Sequence, residues 1–268
     1  MTDKAGYRAI ADSLRAHGDG FEAQIPEHWR QGRTAFGGLT SALALRAARM
    51  LRGDLPPLRS ALISFIGPVT EQAVFTPHIL REGKSVISVN VDVTCGPVLC
   101  ARAGFVFGHS RDSDLSVPAQ AVTDVNGPDD YPDFTPEQIR DFVPKFFHNF
   151  ETKLVGGARP ISGVDEGYIQ AWSRHIDPQS RSGIEALLAI GDVLPGAAMP
   201  MFKRPGVISS VTWMVNILTD NPETADGWWL VDTRQSAAQN GYSSQHMGVW
   251  NRAGKKVIDG LQTVAVFI

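Results

Sequence analysis

The same order of predicted elements occurs twice in this chain of 268 residues. A helix predicted over 36–51 precedes four strands, at 58–66, 73–81, 85–94 and 98–108. Two strands, near 145–155 and 168–175, come before a second helix at 182–191, which precedes four strands, at 207–218, 228–236, 242–251 and 257–268. The turns are too short for crossover helices, so the strands are expected to be antiparallel. The repeat predicts an α+β fold in which two antiparallel sheets each wrap a central helix and join, edge to edge, into one continuous sheet.

The first helix is predicted from the spacing of its apolar residues. Leu39, Leu43 and Ala47 recur at i, i+4 and i+8, and the hydroxyl of Thr34 lies upstream as a candidate cap. Small side chains let a helix lie close to a sheet, so we expect this helix to be covered. The last strands of the two copies end alike, in GFVF at 104–107 and VAVF at 264–267, an offset of 160 residues.

A segment of different composition separates the two copies. Residues 111–144 contain five prolines and eight acidic residues and show little periodicity. This composition predicts a linker between an N-terminal domain, 1–110, and a C-terminal domain, 145–268. We expect the linker to lie over the surface, to be mobile and to hold no catalytic group.

Composition excludes several classes of function. With 25 basic and 28 acidic residues the net charge is −3, and no basic stripe suggests nucleic acid as a partner. Cys95 and Cys100 provide no disulfide framework or zinc site, and the longest charge-free run, 205–219, is too short to span a membrane. We expect a cytoplasmic protein. The motifs of serine hydrolases, zinc proteases and nucleotide-binding loops are absent from the sequence.

One carboxylate is predicted at the end of an apolar helix face. Ile184, Leu188 and Asp192 follow each other at i, i+4 and i+8, which places Asp192 on the side that faces the sheet. The alternative is that the helix ends by Gly191 and that Asp192 only opens the following turn.

Two strands carry further polar candidates. Gln262 shares a face with Val264, so its amide must find hydrogen-bond partners, either in a site or as a purely structural glutamine. Strict alternation puts Ser210 and Thr212 on one side of their strand and Trp213 on the other, where polarity would equally suit a solvated face. A carboxylate, a hydroxyl and an amide together can hold a water and remove its proton, which favours acyl transfer to water.

At these residues the chain resembles the type II acyl-CoA thioesterases of the TesB kind, which are two fused hotdog domains. The resemblance runs through both halves, at Phe36-Gly37-Gly38, Pro68, Arg81-Glu82-Gly83-Lys84-Ser85, Trp172-Ser173-Arg174, Ala189-Ile190-Gly191-Asp192, Leu194-Pro195, Ser210 and Gln262. It implies a double hotdog and an acyl-CoA thioesterase that hydrolyses a fatty acyl-CoA by base-assisted water attack.

The resemblance also implies roles for individual residues. The catalytic set falls on Asp192, Ser210 and Gln262, although a slip of one residue would select Ser209 in place of Ser210. Arg102 takes the place of Gln262 in the first copy, which is therefore expected to be non-catalytic.

We further expect substrate contacts at Gly37, Gly38 and Trp213. The resemblance implies no metal or other cofactor, an acyl-CoA substrate and self-association to a homodimer or larger, with the open sides of the helices covered. Two alternatives stay open: an acyl-binding protein without turnover, and a hydratase or dehydratase, which would be expected to place a histidine beside the carboxylate.

Overall fold

The repeat is present in the structure, a computed structural model that describes residues 4–268. The first half contains α1 (Tyr7–Asp12), β1 (Arg15–His17), β2 (Gly20–Gln24), β3 (Arg30–Gln31), β4 (Thr34–Ala35), α2 (Gly37–Leu51), β5 (Leu58–Phe65), β6 (Gln72–Glu82), β7 (Val86–Cys95) and β8 (Val98–Gly108). The second half contains β9 (Phe150–Gly157), β10 (Tyr168–His175), α3 (Ile184–Gly191), β11 (Val207–Ile217), β12 (Trp229–Gln239), β13 (Tyr242–Trp250) and β14 (Lys256–Phe267). Six strands of each half belong to one sheet.

That sheet has twelve strands in the order β1-β2-β6-β7-β8-β5-β11-β14-β13-β12-β10-β9. All neighbouring strands in it are antiparallel, and the halves join where β5 pairs with β11, with Met214 opposite Leu62. The prediction of an α+β double hotdog with one continuous sheet is confirmed. The sequence analysis did not predict α1, β1 or β2, and residues 145–149, predicted as strand, form a short 3₁₀ turn before β9.

The two helices lie against each other and pack on the sheet. Leu39, Leu43 and Ala47 of α2 are fully buried, as expected, and so are Leu188 and Ile190 of α3. The apolar sides of both helices are thus covered within the chain itself, and self-association stays a prediction. The predicted cap is wrong, because α2 begins after Phe36, while the Thr34 hydroxyl accepts a hydrogen bond from the Val69 N–H at 3.1 Å.

Residues 160 positions apart in the last strands of the two halves do not face the same side of the sheet. Val264 is buried in β14, whereas in β8 it is Phe105, not Gly104, that faces the core. Arg102 consequently points to the outer face, where it forms a two-pronged ion pair with Asp92 at 2.6 and 2.9 Å. Arg102 therefore does not occupy the place of Gln262, since β-bulges shift the registers in both halves.

The segment between the halves is partly anchored to the strands of the second half. The Trp172 indole donates to the Asn126 carbonyl at 2.9 Å, and the Trp250 indole donates to the Gln120 carbonyl at 3.1 Å. Phe134 is 5% exposed and joins the core, which the composition of this segment did not predict. The Leu154 N–H donates to the Pro132 carbonyl, so the segment also covers part of the edge strand β9.

Candidate active site

The carboxylate of Asp192 lies where the two halves meet. Helix α3 does end at Gly191, and Asp192 is its C-cap residue. Its side chain nevertheless turns inward, to the N-terminus of α2, where the Gly38 N–H donates a hydrogen bond to it. A Cβ atom on Gly37 would lie 2.7 Å from Asp192 Oδ2, so a glycine is needed for this approach. The helix therefore ends where the alternative interpretation placed its end, but the Asp192 side chain faces inward and does more than open a turn.

Burial raises the pKa of Asp192 from 3.8 to about 7. Hydrogen bonds from Gln262 and from the Gly38 N–H oppose this shift, because donors favour the ionised carboxylate. The N-terminal end of α2 carries a partial positive charge, which also favours the anion. A carboxyl group with such a pKa can hold and release a proton near neutral pH, as a general base must.

Gln262 connects this carboxylate to the buried face of β13 and β14. Its side chain is 3% exposed, and its Nε2 donates to Asp192 Oδ1 at 2.9 Å. Its Oε1 accepts a hydrogen bond from Gln245 Nε2 at 2.7 Å. Both ends of the Gln262 amide thus have a hydrogen-bond partner, and one of these partners is the candidate base.

Gln245 was missed by the sequence analysis, although its signal was the same as that of Gln262. It lies on β13 on the face of Met247 and Val249, both buried, directly opposite Gln262 on β14. A lone amide on an apolar strand face was the pattern that selected Gln262.

Ser210 is on the inner face of β11, for a reason that alternation alone did not reveal. A bulge at Val211 makes Ser210 pair with Val264, while Trp213 pairs with Gln262. Cross-strand partners share a face, so Ser210, Gln262 and Trp213 all lie on the same side. The prediction that Ser210 and Trp213 face opposite sides is therefore wrong. Ser209 pairs with Ala265 on the outer face and is exposed.

The structure places Ser210 on the face of the candidate base without direct contact. Within residues 4–268, no hydrogen bond joins the Ser210 hydroxyl to Asp192 or Gln262. Ser210 is half-buried, and its contact with a water or substrate oxygen stays a prediction.

The predicted substrate contacts lie around the same carboxylate. A Cβ on Gly38 would lie 2.3 Å from the Ala189 carbonyl oxygen, so α2 and α3 approach closely here. Trp213 is 1% exposed and packs its ring on Gly191, where a Cβ would be 3.4 Å away. In the described chain its buried indole N–H has no hydrogen-bond partner. Trp213 thus forms the wall behind Asp192, and its contact with substrate stays a prediction.

His175 and the other potential ligands do not form a second catalytic or metal site in the described residues. His175 is buried among aromatic rings, its Nε2 is 3.0 Å from the Ala186 carbonyl oxygen, and burial lowers its pKa to about 4. Among residues 4–268, no three His, Cys, Asp or Glu side chains are grouped to hold a metal ion. No helix in the same range has the length and apolar character needed to span a membrane.

Solved structures share this fold at low sequence identity. A hotdog-fold protein of unknown function from Alicyclobacillus acidocaldarius superposes with a TM-score of 0.86 at 23% identity, covering 99% of each chain. A tesB protein from Mycobacterium avium subs paratuberculosis gives 0.76 at 17% identity, covering 97% of this chain and 98% of its own. The acyl-CoA thioesterase II TesB2 from Mycobacterium marinum gives 0.73 at 18% identity, with the same coverage. These similarities establish the double hotdog fold.

Sequence-family models cover both halves of the chain. The acyl-CoA thioesterase N-terminal domain matches residues 25–108, and the acyl-CoA thioesterase C-terminal domain matches residues 124–266. No curated protein matches the sequence significantly. Since the two family models together span most of the chain, in the order that the repeat requires, this protein belongs to the acyl-CoA thioesterase family.

Proposed function

We propose that this chain hydrolyses a fatty acyl-CoA thioester to the free acid and CoA by base-assisted attack of water. The observation that carries the proposal is the Asp192 carboxylate, whose pKa is about 7 and which accepts hydrogen bonds from Gln262 and Gly38. A half-buried carboxylate with a pKa near neutral pH suits a general base, and the family supplies the substrate class.

The proposed reaction uses the second half of the chain for chemistry. Ionised Asp192 removes a proton from a water whose oxygen attacks the thioester carbonyl. The C–S bond breaks as the tetrahedral intermediate collapses, and the CoA thiolate takes up the proton from Asp192. Gln262 and the Ser210 hydroxyl orient the water, while Gly37 and Gly38 lie beside the thioester. In this proposal no acyl group is attached to the enzyme.

The same proposal assigns different roles to the parts of the chain. Residues 1–110 provide the N-terminus of α2, residues 145–268 provide the acid–base group, and residues 111–144 connect them. A hydratase or dehydratase function is less well supported, because the contacts of buried His175 are with Ala186 and aromatic rings rather than with Asp192.

The test is the substitution Asp192→Asn, which keeps the shape of the side chain but removes the base. We expect kcat for acyl-CoA hydrolysis to fall by about 10²–10⁴, with binding of acyl-CoA retained. CoA release is measured by a thiol reagent across a series of acyl lengths, and binding by calorimetry. Hydrolysis at the wild-type rate would refute the role of Asp192. Tight binding without turnover by the wild-type chain would instead support the acyl-binding alternative.

A further inference from the structure

The buried side chain of Gln245 lies one hydrogen bond behind the candidate active site. It is 1% exposed and stands opposite Gln262 in the pairing of β13 with β14. Its Nε2 donates to Gln262 Oε1 at 2.7 Å, and its Oε1 accepts from the Ala197 N–H at 2.7 Å. Three links therefore run from a backbone amide through two glutamines to Asp192.

The direction of every link follows from the first one. A backbone N–H can only donate, so the Ala197 amide requires the oxygen of the Gln245 side chain. The nitrogen of Gln245 must then face Gln262, which answers with its own oxygen. Gln262 is left with its nitrogen toward Asp192, at 2.9 Å. The carboxylate consequently always meets a donor.

The same contacts hold the loop that carries the carboxylate. Asp192 and Ala197 lie five positions apart, and each is tied to a neighbouring strand, Asp192 to Gln262 on β14 and Ala197 to Gln245 on β13. Gln245 thus anchors the far end of the loop whose near end bears the candidate base.

Without this order, the amide of Gln262 could turn over. Its oxygen would then face an Asp192 oxygen, an arrangement that is favourable only when the carboxyl group is protonated. The polar groups that face Asp192 are Gln262 from β14 and the Gly38 N–H from α2, while β11 contributes the uncharged Trp213 behind Gly191. Within residues 4–268, burial and the hydrogen bonds from Gln262 and Gly38 are the influences on the pKa of Asp192, so the orientation of the Gln262 amide affects it directly.

We propose that Gln245 is a positioning residue that fixes the orientation of the Gln262 amide and so favours the basic form of Asp192. This inference rests on the proposed function only for its effect on catalysis, since the hydrogen-bond order exists whether or not the chain hydrolyses a thioester. Gln245 itself does not touch Asp192 in the chain of contacts described above.

The test is a double-substitution cycle read by the titration of Asp192. Gln245→Met, Gln262→Met and the double variant are prepared, and the ¹³C-carboxyl resonance of Asp192, assigned by its loss in Asp192→Asn, is followed with pH. We expect Gln245→Met to raise the proton affinity of Asp192 about three- to tenfold, because the charge-assisted hydrogen bond is no longer held in place. In the Gln262→Met background the same substitution should have no further effect, since Gln245 acts through Gln262.

Ser243→Ala is the matched control. Ser243 is also buried on β13, two residues away, and its hydroxyl has no hydrogen-bond partner in the described chain, so its removal should leave the titration unchanged. If Gln245→Met does not fold, Gln245→Asn tests the same point, because its amide is too short to keep both contacts.

Two results would overturn the inference: an unchanged titration in Gln245→Met, or an equal shift in the presence and absence of Gln262. If the variants show the expected titration cycle but the wild-type chain does not hydrolyse acyl-CoA, the proposed function is refuted and the positioning role of Gln245 stays intact. The acid limb of kcat/KM should move with the titration when the chain is active.

Discussion

The Asp192 side chain is held in a state that costs stability. Its pKa is about 7 in the folded chain against 3.8 for an unperturbed aspartate, because burial outweighs the two donated hydrogen bonds. A raised pKa means that protonated Asp192 favours folding below pH about 4, and that this contribution is lost as the pH rises through 7. The whole difference that Asp192 makes to the free energy of unfolding between pH about 4 and pH about 7 is about 4 kcal/mol at most. Such a cost is typical of groups kept for function rather than for stability.

The hydroxyl on β11 gives a prediction that separates two adjacent serines. Ser210→Ala removes a side chain on the face of Gln262, so we expect kcat to fall about tenfold, the effect of losing one hydrogen bond of roughly 1–1.5 kcal/mol. Ser209→Ala is the matched control, because Ser209 is exposed on the outer face. This variant should hydrolyse acyl-CoA at the wild-type rate. The two variants are compared in a steady-state CoA-release assay. A larger loss in Ser209→Ala would show that the register of β11 is wrong.

At the level of single elements, the sequence predicted most strands and helices but not the bulges. Alternation along 207–218 was broken by the bulge at Val211, so the predicted faces of Ser210 and Trp213 were wrong even though the residues themselves were selected. Gln262 was assigned to the correct face because no register shift separates it from Val264 in the pairing of β13 with β14.

Elements without a clear periodicity of apolar residues could not be predicted from the sequence either. The short strand β2 depends on pairing with β6, a contact between residues about fifty positions apart, and β1 pairs with β2. The approach of Asp192 to Gly37 and Gly38 joins two halves of the chain, so no local pattern could show it. The family resemblance selected the three candidate residues. The hydrogen bonds that join Ala197, Gln245 and Gln262 could be identified only in the structure.

The connecting segment gives a prediction that divides it into two parts. Residues 111–119 are exposed throughout, whereas 120–126 provide the carbonyl groups bound by Trp172 and Trp250. Replacing 111–119 by a neutral stretch of equal length should leave the Tm unchanged and turnover within a few-fold.

The same replacement of 120–126 should lower the Tm, because it removes the apolar contacts of Val122 and Val125 with Trp172 and Trp228. Both variants are measured by thermal unfolding and by CoA release. Complete loss of activity in a folded 111–119 variant would contradict the assignment of this stretch as a connector without a catalytic group.

At the scale of the whole molecule, joining the two halves through β5 and β11 turns two strand edges into the centre of one sheet. At the two ends of the sheet, β1 has only three residues and β9 is flanked by residues 132–134, whereas residues 76–82 of β6 extend past the end of β2. The sheet also presents an outer face, opposite the helices, to other molecules.

An apolar row lies on that outer face. Leu62, Met214 and Leu261 are 56%, 40% and 37% exposed on three adjacent strands, and Met214 pairs with both of the others. We predict a homodimer or larger assembly that buries this row, and we expect Leu62→Glu to shift it toward monomer. Sedimentation velocity at micromolar concentration gives the oligomeric state of the wild-type chain and of Leu62→Glu. A wild-type chain that sediments only as monomer would refute self-association.

The pH dependence of kcat/KM tests the central claim most directly, because it reports whether the carboxylate that the fold keeps near pH 7 is the base. We predict an acid limb with its midpoint at about pH 7, the pKa of Asp192, below which kcat/KM falls tenfold for each pH unit. The residual activity of Asp192→Asn should lack this limb. A wild-type profile that stays flat from pH 5 to pH 8, or an identical limb in Asp192→Asn, would show that the proton is taken by another group.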